Sequence, residues 1–119
     1  MKLKVLGSSS NGNCYLIEAS PKEKLILDAG INFKEVQKEM NFNFDGLEGV
    51  LITHEHLDHF KYAMIFAGYG IDIYASEGTF NSKQLNGFRY KVVKALQQFE
   101  IGNFIILPFD TQHDAAEPL

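Results

Sequence analysis

A histidine-rich segment of seven residues constrains this chain more than any other feature of its sequence. The segment reads Thr53-His54-Glu55-His56-Leu57-Asp58-His59 and contains three of the four histidines in the 119 residues. The apolar run over residues 49–53 predicts a buried strand, and the pattern over 60–66 predicts a helix. Ligand sites of layered α/β folds lie just beyond the carboxyl ends of strands. The segment therefore predicts a metal site at a sheet edge.

The spacing of these side chains supports a metal site. Residues two apart in an extended backbone point the same way, so His54 and His56 can present imidazoles to one ion. Asp58 and His59 follow where the chain turns into the helix, which directs them toward a second ion. Imidazole nitrogens with one carboxylate suit Zn²⁺, with Mn²⁺ or Fe as weaker alternatives. A solvated loop without an ion is the simpler interpretation, but a cluster of four ligand-type side chains disfavours it.

The fourth histidine, His113, follows a strand predicted over residues 104–107 and a short turn that contains Pro108. At the end of a strand in the same sheet, it would complete a three-ligand zinc site with His54 and His56 and leave a position for water. For His113 taken alone, a purely structural role is an equally good interpretation.

Signals elsewhere in the chain indicate an α/β fold. Three short strands, predicted over 2–6, 14–18 and 24–27, are joined by tight turns and favour an antiparallel meander. After Gly30, strands alternate with helices, two of them capped by Asn32 and Ser76, and two last strands meet near Gly102. This order predicts one domain with a mixed sheet in a layered α/β arrangement.

Composition limits the partners that we expect. The net charge is −4 and no basic track is visible, so no general attraction to nucleic acid or anionic membrane is predicted. Cys14 is the only cysteine, which excludes an internal disulfide and favours a reducing compartment. No stretch reads as a signal core or a membrane span. We therefore predict a cytoplasmic protein, for which local contacts to one or two phosphates remain possible.

The histidine segment is similar to the His-x-His-x-Asp-His signature of the metallo-β-lactamase superfamily. Residues 25–30, Leu-Ile-Leu-Asp-Ala-Gly, resemble its upstream strand and Asp-x-Gly turn. Residues 8–18 and 113–118 resemble a narrower branch of small bacterial and phage phosphodiesterases and exonucleases of the WalJ type. The resemblance implies a four-layer αββα sandwich. Residues 1–119 would form its amino-terminal half, a mixed sheet with helices on one face.

The resemblance also assigns roles to individual residues. It implies five metal ligands: His54, His56 and His113 for a first ion, and Asp58 and His59 for a second. Asp58 would in addition act in catalysis by accepting a hydrogen bond from the attacking water. Asp28 would lie beneath the site and orient a ligand histidine.

The remaining ligands of the superfamily, a bridging aspartate and a last histidine, come from a second half that these residues do not contain. We expect a carboxyl-terminal half or a second subunit, as in a homodimer, to supply them, because half a sandwich exposes an apolar sheet face. The predicted reaction is hydrolysis by metal-activated water, at nucleic-acid ends or in small or cyclic nucleotides. Two alternatives stay open: ester, thioester or lactam hydrolysis at the same site, and a non-catalytic metal-binding or interaction fragment.

Overall fold

The computed structural model describes residues 1–110 and 118–119. Within this part of the chain, the strands are β1 (Lys2–Ser9), β2 (Gly12–Ser20), β3 (Glu23–Leu27), β4 (Leu47–Leu51), β5 (Ile73–Ala75), β6 (Tyr90–Val92), β7 (Phe99–Ile101) and β8 (Phe104–Ile106). The helices are α1 (Phe33–Glu39), α2 (Leu57–Phe60), α3 (Ala63–Gly68) and α4 (Glu77–Ser82).

Strands β1 to β6 form one mixed sheet, in the order of the sequence. The pairs β1–β2 and β2–β3 are antiparallel, which confirms the predicted meander. The pairs from β3 to β6 are parallel. Parallel neighbours need crossover connections, which α1, then α2 with α3, and then α4 provide. The predicted α/β class with a mixed sheet is confirmed, and the carboxyl ends of β3 and β4 lie side by side.

Alternation along β3 divides the core between the two faces of the sheet. Ile26 belongs to the main cluster, and its neighbour Leu25 belongs to a second cluster with Ile101 and Phe104 of the β7–β8 hairpin. Each helix contributes a buried aromatic ring to the main cluster: Phe33, Phe60, Phe66 and Phe80. The helices therefore cover one face, as predicted, and the hairpin packs on the other.

The hairpin covers only part of its face. Leu3 of β1 pairs with Ile17, which pairs with Leu25, so Leu3 lies on the same side as the hairpin. Leu3 and Val5 are nevertheless 64% and 60% exposed. An apolar strip of the sheet therefore faces solvent near β1. The assignment of residues 1–119 to half of a sandwich requires such a strip, and that assignment stays a prediction.

The continuous helix predicted over residues 60–66 is wrong, because α2 and α3 are separated at Tyr62. Ala29 N–H donates to the carbonyl of His59 at 2.7 Å, and Tyr62 N–H donates to the carbonyl of Ala29 at 2.8 Å. In a continuous helix, the carbonyl of His59 and the N–H of Tyr62 would pair with other backbone groups of the helix. Here both pair with Ala29, which follows β3. This exchange joins α2 to the end of β3.

Smaller differences concern the end of the sheet and α4. The sequence pattern does not predict β6, a strand of three residues. The helix predicted to begin after Ser76 is α4, which ends at Ser82, and Gln84 has a φ of 55°. The turn at Gly102 is confirmed, with a φ of 55°. None of the helices in the described ranges is long and apolar enough to cross a bilayer.

Candidate metal centre

Asp28 stands at the base of the site, directly after β3. Its φ is 63°, in the left-handed region that Asp and Asn adopt more readily than most other non-glycine residues. Its backbone N–H donates to the carbonyl of Leu51 at 2.7 Å, which joins the end of β3 to the end of β4. The Asp28 side chain consequently faces the segment that follows β4.

The Asp28 carboxylate accepts hydrogen bonds from two residues of that segment. The backbone N–H of Thr53 donates at 2.8 Å, the Thr53 hydroxyl at 3.0 Å, and Nδ1 of His59 at 2.6 Å. Only 2% of Asp28 is exposed. This burial raises the pKa of Asp28 above its usual range, while the hydrogen bonds from His59 and Thr53 act in the opposite direction.

These contacts determine which nitrogen of each ring carries the hydrogen. Nδ1 of His59 donates, because an ionised carboxylate can only accept. The Thr53 hydroxyl has one hydrogen, which goes to Asp28, so its oxygen accepts from Nδ1 of His54 at 2.9 Å. Both rings then have their lone pair on Nε2. A histidine whose Nδ1 is held by a hydrogen bond binds a metal through this nitrogen.

The predicted ligands on the 54–59 segment lie together. The ring centroid of His54 is 4.0 Å from that of His59 and 4.8 Å from that of His56. Nε2 of His59 is 3.4 Å from Oδ2 of Asp58. His54 is buried, whereas His56, Asp58 and His59 are partly exposed, so solvent reaches the group. His113 lies outside the described residues, and its role as a ligand stays a prediction.

Across residues 1–110 and 118–119, no group of three or more His, Cys, Asp or Glu side chains has the arrangement of a complete metal site. The chemistry of the donors nevertheless fits a divalent ion, because imidazole nitrogen and carboxylate oxygen are ligands that zinc takes. Asp28 and Thr53 also support two of the imidazoles at Nδ1, which is the usual environment of ligand histidines.

Three residues that shape this site were not predicted from the sequence: Asn13, Gly30 and Thr53. The amide of Asn13 reaches Asp58 from the start of β2, a segment to which the sequence assigned only a place in the family resemblance. A Cβ at Gly30 would overlap the carbonyl of Asp58, so only glycine permits this close approach. The Asp-x-Gly turn and Thr53 were visible in the sequence, but they make their contacts with residues that are remote in the sequence.

Comparison with known proteins places these features in a family. A family model described as Anti-Pycsar protein Apyc1 matches residues 1–84. The chain is 35% identical over 128 residues to an exodeoxyribonuclease WalJ of Streptococcus pneumoniae serotype 2, a match that covers 98% of this chain and 47% of that protein. It is 34% identical over 65 residues to an Anti-Pycsar protein Apyc1 of Bacillus phage 010DV004, over 50% of this chain and 25% of that protein. The chain thus spans about half the length of the WalJ relative.

Solved structures define the fold. MEM-A1, a subclass B3 metallo-β-lactamase from a soil metagenome library, is similar with a TM-score of 0.76 at 15% identity, over 98% of this chain and 52% of that one. BJP-1, a subclass B3 enzyme of Bradyrhizobium japonicum, gives 0.69 at 18% identity, over 96% and 50%. At these identities the likeness concerns the fold alone. The chain therefore belongs to the Anti-Pycsar protein Apyc1 family and has the metallo-β-lactamase fold.

Proposed function

We propose that this chain forms the first half of the active site of a metal-dependent hydrolase that cleaves phosphodiesters, at nucleic-acid ends or in small or cyclic nucleotides. One observation carries the proposal. His54, His56, Asp58 and His59 gather beyond the carboxyl ends of β3 and β4, and Asp28 and Thr53 support two of the imidazoles at Nδ1. This is the sheet edge at which α/β folds bind ligands.

The proposed metal ligands are His54, His56, Asp58, His59 and, outside the described residues, His113. Zinc is the ion that this donor set suits best. A divalent ion held by these residues would lower the pKa of water toward neutrality and would stabilise negative charge on the attacked phosphate. Asp28 fixes the ring of His59, and Thr53 fixes the ring of His54. Asp58 accepts a hydrogen bond from the attacking water and so orients it.

Two observations favour a small or terminal phosphodiester. The relative that matches nearly the whole chain is named as an exodeoxyribonuclease, and exonucleases act at the ends of a strand. The net charge of −4 offers no continuous attraction to a long polyanion, which suits a substrate bound through one or two phosphates. A cytoplasmic location is part of the proposal, because the buried free thiol of Cys14 suits a reducing compartment.

We further propose that residues outside this chain complete the site, from the second half of an αββα sandwich or from a second subunit. The solved metallo-β-lactamases extend to about twice the length that this chain covers. The apolar strip that contains Leu3 and Val5 also gives such a second half or subunit a surface to pack against.

The first test is metal content. We expect the chain to bind zinc and to lose both the zinc and any phosphodiester turnover in His56→Ala, while Lys38→Ala, an exposed change on α1, retains both. Elemental analysis and a zinc titration give the metal stoichiometry. If His56→Ala retains tight zinc binding, or if the unaltered chain binds none, the proposed site is wrong.

The second test separates the reactions. The protein, together with the half or subunit proposed to complete the site, is purified under native conditions with zinc and is given a bis-aryl phosphodiester, end-labelled linear DNA, a cyclic nucleotide, a thioester and a β-lactam. We expect turnover among the phosphodiesters alone. Hydrolysis of the thioester or lactam without any phosphodiester cleavage would replace the proposed reaction by acyl hydrolysis at the same site.

A further inference from the structure

We propose that Asn13 is a positioning residue that fixes the orientation of the Asp58 carboxylate at the candidate metal centre. Asn13 lies on β2, 45 positions before Asp58, and none of the sequence signals described above assigns it a role in the site. The inference rests on the proposed function, because it assumes that Asp58 is a metal ligand and orients the attacking water.

The side-chain amide of Asn13 contacts both ends of Asp58. Nδ2 lies 3.1 Å from Oδ2 of the Asp58 carboxylate and 3.2 Å from its backbone carbonyl, and 2.9 Å from the carbonyl of Ser9. The amide has two hydrogens. Four acceptors lie within reach of these two hydrogens: the carbonyl of Ser9, the backbone carbonyl and Oδ2 of Asp58, and Nε2 of His59. A single donor thus links the backbone and the side chain of one residue, which restricts its rotamer.

The broken helix explains why the carbonyl of Asp58 accepts this bond. In a continuous helix it would accept from the N–H of Tyr62, but that N–H donates to Ala29 at 2.8 Å. Asn13 supplies a donor in its place at 3.2 Å. The helix break after β3 and the contact with Asn13 are therefore two parts of one arrangement.

Asn13 is itself held on two sides. Its side chain donates to Ser9 across the β1–β2 turn, and its backbone carbonyl accepts from Gly30 N–H at 2.9 Å. The missing Cβ of Gly30 allows this approach and the approach of Gly30 to the carbonyl of Asp58. The turn, the segment after β3 and the start of α2 consequently meet at one amide group.

Nε2 of His59 lies 3.3 Å from the same amide nitrogen. The Asn13 amide therefore stands beside two of the proposed metal ligands, Asp58 and His59. Because an amide stays a neutral donor throughout the pH range of proteins, it can hold Oδ2 of Asp58 without adding charge to the site.

The test compares Asn13→Ala with Asn11→Ala, a change in the adjacent β1–β2 turn. Outer partners of metal ligands typically change metal affinity by about 10–100-fold when removed. We expect a loss of zinc affinity in that range for Asn13→Ala, measured by competition titration, and a change below about twofold for Asn11→Ala. Thermal unfolding of the metal-free variants establishes that they fold. If Asn13→Ala does not fold, Asn13→Ser retains a hydroxyl donor, and we expect an intermediate loss from it.

A double-mutant cycle distinguishes positioning from general stabilisation. If Asn13 acts through Asp58, Asn13→Ala has no further effect on zinc affinity in an Asp58→Ala background. An undiminished effect in that background, or an unchanged affinity in Asn13→Ala alone, overturns the inference while the proposed function survives.

An NMR measurement on the metal-free chain distinguishes a failure of the Asn13–Asp58 contact from a failure of the proposed metal function. In the metal-free chain, Asp58→Ala is expected to shift the NMR signals of the Asn13 side-chain amide, whereas Asp45→Ala, in an exposed turn, leaves them unchanged. Unshifted signals overturn the contact whatever the metal does. A chain that binds no zinc but shows the shift retains the contact and refutes the metal function, and with it the positioning role.

Discussion

Nδ1 of His59 donates a hydrogen bond of 2.6 Å to Oδ2 of Asp28, a residue 31 positions earlier in the chain. The contact joins the residue after β3 to the helix that follows β4. It fixes the orientation of the His59 ring and directs Nε2 toward Asp58, which is 3.4 Å away. One buried carboxylate thus organises the edge of the sheet where the proposed metal ligands gather, and its removal is the most direct test of that arrangement.

Asp28→Asn is expected to lower zinc affinity by about 10–100-fold, because an amide replaces the carboxylate that accepts from Nδ1 of His59. Asn tolerates the left-handed backbone at this position, so the loss of folding stability should stay near 1–3 kcal/mol. Zinc titration and urea unfolding measure the two effects, with Asp45→Asn in an exposed turn as the control. An unchanged zinc affinity would contradict the supporting role of Asp28.

Thr53→Val tests the link between Asp28 and His54. Valine has a similar shape but no hydroxyl, so Nδ1 of His54 loses its acceptor and Asp28 loses one donor. We expect zinc affinity to fall by about 10-fold or more. Thr53→Ser retains the hydroxyl and should remain within about threefold of the unaltered chain by the same argument. Equal affinities for the Val and Ser variants would show that the hydroxyl has no part in the site.

Gly30→Ala should destabilise the fold, since the added methyl group overlaps the carbonyl of Asp58 and contacts the backbone nitrogen of Asn13. Overpacking of this kind costs about 1–3 kcal/mol, and occasionally more. Gly68→Ala is a matched control, because a Cβ there meets nothing within 4 Å and the residue is helical. We expect Gly68→Ala to be neutral or to stabilise by up to about 1 kcal/mol. Similar unfolding midpoints for both variants would rule out the close approach at Gly30.

Cys14 should make stability depend on pH above neutrality. Burial, together with the negative charge of Asp28, raises the pKa of the Cys14 thiol from 9.0 to about 12. Between these values the unfolded chain releases a proton that the folded chain keeps, so the free energy of unfolding falls as pH rises. The slope contributed by one such group is about 1.4 kcal/mol per pH unit.

The measurement is urea unfolding at several pH values from 8 upward, on the unaltered chain and on Cys14→Ala. The variant lacks the thiol, so the stability difference between the two proteins should shrink or reverse as the pH rises. Parallel curves would show that the thiol titrates normally in the folded chain.

Local signals in the sequence were sufficient to predict where α1 and α4 begin, because each start depends on a contact between residues close in the sequence. The Asn32 side chain accepts from the backbone N–H of Lys34 at 2.9 Å and begins α1, as predicted. Ser76 caps α4 through Thr79 N–H at 3.2 Å, also as predicted. Neither contact spans more than three residues, and a pattern of adjacent residue types is enough to reveal such contacts.

The break between α2 and α3 shows where local reasoning fails. Residues 60–66 have a helical pattern, but the backbone of Ala29 takes the carbonyl of His59 and pairs with the N–H of Tyr62. The competing partner lies about thirty residues away, and nothing within residues 60–66 reveals it. A still larger separation, of 45 residues, hides the contact of Asn13 with Asp58.

The fold class, the meander before Gly30 and the cluster of ligand-type side chains after β4 could be inferred from the order of residues alone. These follow from hydrophobic periodicity, turn residues and the spacing of histidines along a short segment. The way in which those side chains are held depends on the assembled fold: Asp28 lies beneath His59, Thr53 beside His54, and Asn13 against Asp58. Hydrogen bonds between residues remote in sequence form only when the sheet brings strand ends together, and no local pattern encodes that approach.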